Sequence, residues 1–147
     1  MTAPVLIIGI GNPSRGDDAL GPLCIEALEA MRLPDVELLT DFQLQVEFAL
    51  DLAGRREVVF VDAAASGPEP WEFRPVGRES RLSHTSHALA PEGVLATCAQ
   101  VGFPAPEAAF VLAIRGYGFE LGEALSPRAH GNLEAALSFL RVRYPEK

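Results

Sequence analysis

Val5-Leu6-Ile7-Ile8-Gly9-Ile10-Gly11-Asn12-Pro13-Ser14-Arg15-Gly16-Asp17-Asp18 is the stretch on which the fold turns. Residues 5–10 form a continuous apolar run, as a parallel strand buried on both faces does. A glycine-bearing loop follows. Two acids then open a helical pattern over 19–31, with Leu20, Leu23, Cys24, Ala27, Leu28 and Met31 at helical spacing. Strand, loop and helix in that order begin an open α/β sheet, whose ligands collect outside the carboxyl ends of its strands.

Outward from this unit the alternation continues. Residues 36–40 read as a second strand ending at Asp41. Residues 43–53 read as a second helix, with Leu44, Phe48 and Leu52 four apart and Gly54 just past its end. A third strand over 57–61 is capped by Asp62, and a Gly/Pro loop spans 63–70. Residues 71–76 alternate apolar and polar and carry Pro75, which suits a sheet edge. A helix over 91–101 has Pro91 in its first turn. The last strand is 108–114. Ser126 and Pro127 serve as N-cap and N1 of a final helix that presents Leu133, Leu137 and Leu140 and ends near Tyr144. The expected fold is a three-layer α/β/α sandwich on a mostly parallel five-stranded sheet with one antiparallel edge strand. Its crossovers are right-handed, and one domain spans 1–147.

Composition narrows the partners. Twelve basic against 20 acidic residues give a net charge of −8, which argues against nucleic acid and against an anionic membrane surface. Cys24 and Cys98 fall inside predicted helices without a CxxC spacing and read as buried, reduced thiols. Met1-Thr2-Ala3-Pro4 has no basic region, and the run 5–10 is too short for a signal segment or a membrane span. The chain reads as a complete, cytoplasmic protein.

Three side chains fall where strands should end: Asp18, Asp62 and His87. Two carboxylates and an imidazole at a sheet rim suit a divalent transition metal. The same two carboxylates could instead share a proton and activate water as an aspartic dyad. Each member also has a local reading. Acids at a helix start contribute about 0.3–1 kcal/mol apiece, with Asp17 expected to cap and Asp18 to face the crevice. Asp62 could organise 63–67 through an Asx turn, and His87 could bond at a helix entry. His84 is a rival ligand, His130 reads as a surface residue, and Gln43 and Gln45 line the rim without a catalytic role. Asn12 is expected to order the first loop through its side chain and to touch the substrate backbone. The loop is a poor dinucleotide fingerprint: the third glycine falls on Ser14, and two acids occupy the helix end that a pyrophosphate needs. Neither an H-E-x-x-H nor a G-x-S-x-G motif is present.

Gly9-x-Gly11-Asn12-x-x-x-x-Asp17-Asp18-x-x-Gly21 resembles the opening motif of the [NiFe]-hydrogenase maturation endopeptidases. Val59-Phe60-Val61-Asp62-Ala63 is similar to their second acidic strand end, Ser86-His87-x-Leu89 to their Ser/Pro-His-x-Leu segment, and Leu125-Ser126-Pro127 to the start of their last helix. The resemblance implies an endopeptidase that removes the C-terminal extension of a hydrogenase large-subunit precursor after nickel insertion. It implies Asp18, Asp62 and His87 as catalytic, metal-contacting residues. Nickel would arrive with the precursor, and no organic cofactor, nucleic acid or membrane would take part. This chain has Asp18 where many members have Glu. It has Asp41-Phe42-Gln43-Leu44-Gln45 in place of Asp-Gly-Gly-Thr, and Arg115-Gly116-Tyr117-Gly118-Phe119-Glu120-Leu121-Gly122-Glu123 in place of a proline-bearing loop. In these departures it resembles the branch serving soluble NAD-linked or bidirectional hydrogenases, and Tyr117 and Phe119 become candidate partner contacts. Two other readings stand beside it: a chaperone that recognises nickel and precursor without cutting, and a nucleotide-binding α/β domain.

Overall fold

The computed structural model describes residues 2–77 and 89–146. Every residue of β1 (Val5–Ile10) is buried, because helices cover both faces of the sheet at its centre. Parallel neighbours flank it, β2 (Val36–Asp41) on one side and β3 (Glu57–Ala64) on the other. β5 (Ala108–Arg115) pairs parallel with β3, and β4 (Trp71–Pro75) lies antiparallel at the far edge. Among the described residues the order is β2-β1-β3-β5-β4, the mostly parallel five-stranded sheet with one antiparallel edge that the sequence predicts.

Alternation along the strands divides the core in two. Val5 and Ile7 of β1 pack with buried residues of α1 (Leu20–Met31) and α4 (Pro127–Arg143). Leu6, Ile8 and Ile10 pack with those of α2 (Phe48–Leu52) and α3 (Pro91–Gln100). Cys24 sits in the first layer and Cys98 in the second, both free and buried. Burial pushes the Cys24 thiol up to about 12, which leaves it unreactive at neutral pH. No helix among the described residues is long and apolar enough to cross a membrane.

Several boundaries depart from the sequence reading. A 3₁₀ turn, Gly16–Ala19, precedes α1, so the α-helix starts at Leu20 rather than at the acids. The second helix is far shorter than 43–53. Leu44 buries its side chain from an irregular segment, and only Phe48–Leu52 is helical. A four-residue apolar spacing is met equally by a loop residue and one helical turn. β3 extends through Ala64 because β5 continues beside it: Asp62, Ala63 and Ala64 pair with Ala113, Ile114 and Arg115.

From β1 the chain passes through α1 to β2 on one side. It then crosses through α2 to β3 on the other side. The order therefore reverses between β1 and β3, and the crevice at their carboxyl ends is the topological switch point of the sheet. Gly21 makes this point compact. A Cβ at Gly21 would lie 2.4 Å from the Ile10 carbonyl oxygen and 2.8 Å from that of Val61. Both are backbone atoms and cannot swing aside. Gly21→Ala is expected to cost about 1–3 kcal/mol through overpacking and to lower the thermal midpoint by roughly 3–10 °C. Calorimetry of the variant checks this.

Candidate functional site at the switch point

The loop after β1 folds back over the strand end. Asn12 Oδ1 accepts the Ser14 N–H at 2.8 Å, so Asn12 orders the loop as its side-chain chemistry suggests. The Asn12 N–H itself donates to Asp18 Oδ2 at 2.8 Å. Gly11 allows this closeness: a Cβ there would stand 2.0 Å from the Asp18 carbonyl oxygen. Asp18 is almost fully buried, at 3% exposure. The loop amide that a nucleotide phosphate would need is thus taken by a carboxylate, and the neighbouring charge opposes an anion. Both observations count against the nucleotide-binding reading.

Asp62 comes from the other side of the switch point. It lies one residue beyond the last β1–β3 pair, Gly9 with Val61, and opposite Ala113 of β5. By alternation with Val58 and Phe60 it faces the α2/α3 layer. Its Oδ1 accepts the adjacent Ala63 N–H at 2.8 Å. The chain is still strand at Ala63 and Ala64, so Asp62 initiates no Asx turn over 63–67. The 3₁₀ turn carrying Asp18 packs against β3, and Gly21 rests over the Val61 carbonyl that precedes Asp62. The two carboxylates expected from the sequence therefore share one rim.

Asp17 does something the sequence reading did not foresee. It was expected to cap the first helix, but no side chain caps that turn. Instead the fully buried Asp17 carboxylate reaches across to the segment after β5. Oδ2 accepts the N–H groups of Tyr117 (2.7 Å) and Gly118 (3.1 Å) and the Ser126 hydroxyl (2.8 Å). Oδ1 accepts the Ser126 N–H at 2.7 Å. Ser126 Oγ in turn accepts the Ala129 N–H and caps α4. Burial alone would raise the Asp17 pKa, but the donations from Ser126, Tyr117 and Gly118 outweigh it and hold the carboxyl below its ordinary value. Backbone bonds from Asp17 to Gly118, Gly16 to Glu123 and Gly122 to Ser14 complete the seam. The turn presenting Asp18 is thereby fixed to the last third of the chain.

The remaining expectations divide. His87 and His84 lie outside the described residues. His130 is exposed on α4, as expected, and Gln43 and Gln45 are exposed beyond β2. Tyr117 and Phe119 are half-buried against the α1/α4 core. Tyr117 accepts from Asn132 at 2.9 Å and lies 4.3 Å below the Arg128 guanidinium. Its ring is thus held largely by intramolecular contacts. Among the described residues no three His, Cys, Asp or Glu side chains are grouped to hold a metal.

No family model and no curated protein matches the chain. Solved structures do. It is similar to the hydrogenase maturating endopeptidase HybD from E. coli, with 24% identity and a TM-score of 0.79 over 95% of this chain and 90% of that one. The [NiFe] hydrogenase maturation protease HycI from Thermococcus kodakarensis aligns with 27% identity and a TM-score of 0.71, covering 94% and 90%. An endopeptidase from Escherichia coli aligns with 26% identity and a TM-score of 0.76, again over 94% and 90%. This chain has the fold of hydrogenase maturation proteases. The similarity spans 94–95% of this chain. The Gly21 packing role was latent in the Gly9–Gly21 motif. The Asp17 seam joins residues about one hundred positions apart, beyond the reach of any periodicity.

Proposed function

We propose that this protein is a cytoplasmic endopeptidase that removes the C-terminal extension of a [NiFe]-hydrogenase large-subunit precursor after nickel insertion. The observation supporting it most is the placement of Asp18 and Asp62 on either side of the switch point of a maturation-protease fold. In this reading Asp18, Asp62 and the neutral imidazole of His87 are ligands to nickel that belongs to the precursor. The metal anchors the tail and polarises the scissile carbonyl or a bound water. Asn12 holds the Asp18 carboxylate through its N–H and offers its side-chain amide toward the substrate backbone. The segments 41–45 and 115–123 border the rim, where loops select partners. Their sequence favours a precursor of a soluble, NAD-linked or bidirectional hydrogenase.

Incubation with nickel-loaded and nickel-free precursor tests the proposal by mass spectrometry. The nickel-loaded precursor is expected to lose its tail and the nickel-free one to stay intact. Equal cutting of both would remove nickel recognition from the mechanism. Binding of the loaded precursor without mass loss would support the chaperone reading instead.

A further inference from the structure

We infer that the outer edge of β2 is a peptide-docking strand that receives the tail-bearing segment of the precursor and leads it to the rim. This rests on the proposed function and adds to it where and how the substrate chain is held. β2 is the terminal strand of the sheet, and among the described residues its only strand partner is β1. Asp35 and Asp41 turn their carbonyls toward β1, accepting from Val5 and Gly11 at 3.2 and 3.0 Å. Backbone direction alternates along a strand. Val36, Leu38 and Thr40 therefore present their N–H and C=O groups to the outside.

Edge strands are commonly blunted by proline, lysine or a bulge. The opposite edge, β4, carries Pro75. β2 reads Val36-Glu37-Leu38-Leu39-Thr40-Asp41, with neither proline nor lysine. Its one mid-strand charge, Glu37, is tied to Arg55 at 2.5 Å. Beside the edge runs a cleft of about 370 Å³ between β2 and α1, floored by Leu38 and Thr40 and walled by Pro22, Leu23, Glu26 and Glu29. It meets a second cavity of about 330 Å³ at Pro13, Pro22 and Thr40, which reaches Gly11, Asp41 and Phe42. Gly11 is the residue packed on Asp18, so the second cavity borders the loop that covers Asp18. Phe42, at 60% exposure, extends it with an apolar lip.

The features specify one occupant. The outward backbone groups, without a strand partner among the described residues, call for an extended main chain, as in strand addition to a sheet edge. Leu38 with Pro22 and Leu23 beside it calls for an apolar side chain on the face turned to the cleft. The exposed Glu26 and Glu29 call for a lysine or arginine facing them. A six-residue strand offers about 20 Å of pairing, enough to hold a short tail segment in register beside the rim.

The test follows single amides of the intact protein by pulse-labelled hydrogen exchange, started within seconds of adding excess nickel-loaded precursor, with the precursor mass read from the same mixture. Leu38 and Thr40 are expected to gain at least about tenfold protection, while Leu39, already facing β1, stays unchanged. Tail loss without protection at Leu38 and Thr40 overturns the docking edge and leaves the protease reading standing. Protection without tail loss supports the edge and overturns the protease reading. Neither change overturns both. Reversing the wall charges in Glu26→Lys/Glu29→Lys is expected to raise the KM for precursor about tenfold, and an unchanged KM would overturn the basic-residue assignment.

Discussion

Replacing Asp62 with Asn is expected to slow removal of the precursor tail by about 10²–10⁴-fold, with Asp18→Asn falling in the same range. Both substitutions keep shape and one oxygen acceptor. The Ala63 N–H can still donate to residue 62 at its 2.8 Å position, and the Asn12 N–H to residue 18. What disappears is the negative charge at each side of the switch point. The thermal midpoint should therefore move by only a few degrees, roughly 2–4 °C per kcal/mol, while activity collapses. Quantitative mass spectrometry of nickel-loaded precursor, paired with a melting curve, separates the two effects. Near-normal cleavage by either variant would contradict the assigned chemistry. His87→Ala then divides the two mechanisms. Loss of cleavage comparable to the aspartate variants supports a metal held by all three residues. Retained cleavage supports Asp18 and Asp62 acting together on water without a metal anchor.

The sequence singles out these carboxylates as candidates because each follows a signal that physics makes local. A buried parallel strand reads as a continuous apolar run; Asp62 directly follows the run 58–61, and Asp18 follows the run 5–10 across one short loop. A mostly parallel sheet could be expected from strand–helix alternation, and the edge position of 71–76 from Pro75, but not the strand order. Two further things were not legible. The second helix shrank because Leu44 can bury itself without being helical. The role of Asp17 was hidden because its partners, Tyr117, Gly118 and Ser126, arrive only when β5 and α4 are in place. A pair of acids before a helix looks like capping, and nothing nearby in the chain says otherwise.

That hidden contact supports the second large expectation. Asp17→Asn should destabilise the protein by about 3–5 kcal/mol, a drop in thermal midpoint of roughly 6–20 °C. Four hydrogen bonds converge on the carboxylate from Tyr117, Gly118 and both donors of Ser126. An amide offers one oxygen and sets an N–H group against donors, so buried backbone N–H groups lose their acceptor. The pH dependence follows from the direction of the shift. The folded-state pKa of Asp17 lies below its ordinary value, so its stabilisation is fully present above about pH 4. It is lost as pH falls through the depressed folded-state value. Wild type should lose midpoint steeply on acidification below about pH 4, and Asp17→Asn should show a flatter acid limb from a lower start. Parallel limbs would mean that other carboxylates dominate. Because the same seam fixes the turn that presents Asp18, the variant should also process precursor more slowly at temperatures where it remains folded. Stability and reaction geometry are joined through one buried side chain, adjacent in sequence to the carboxylate that it positions.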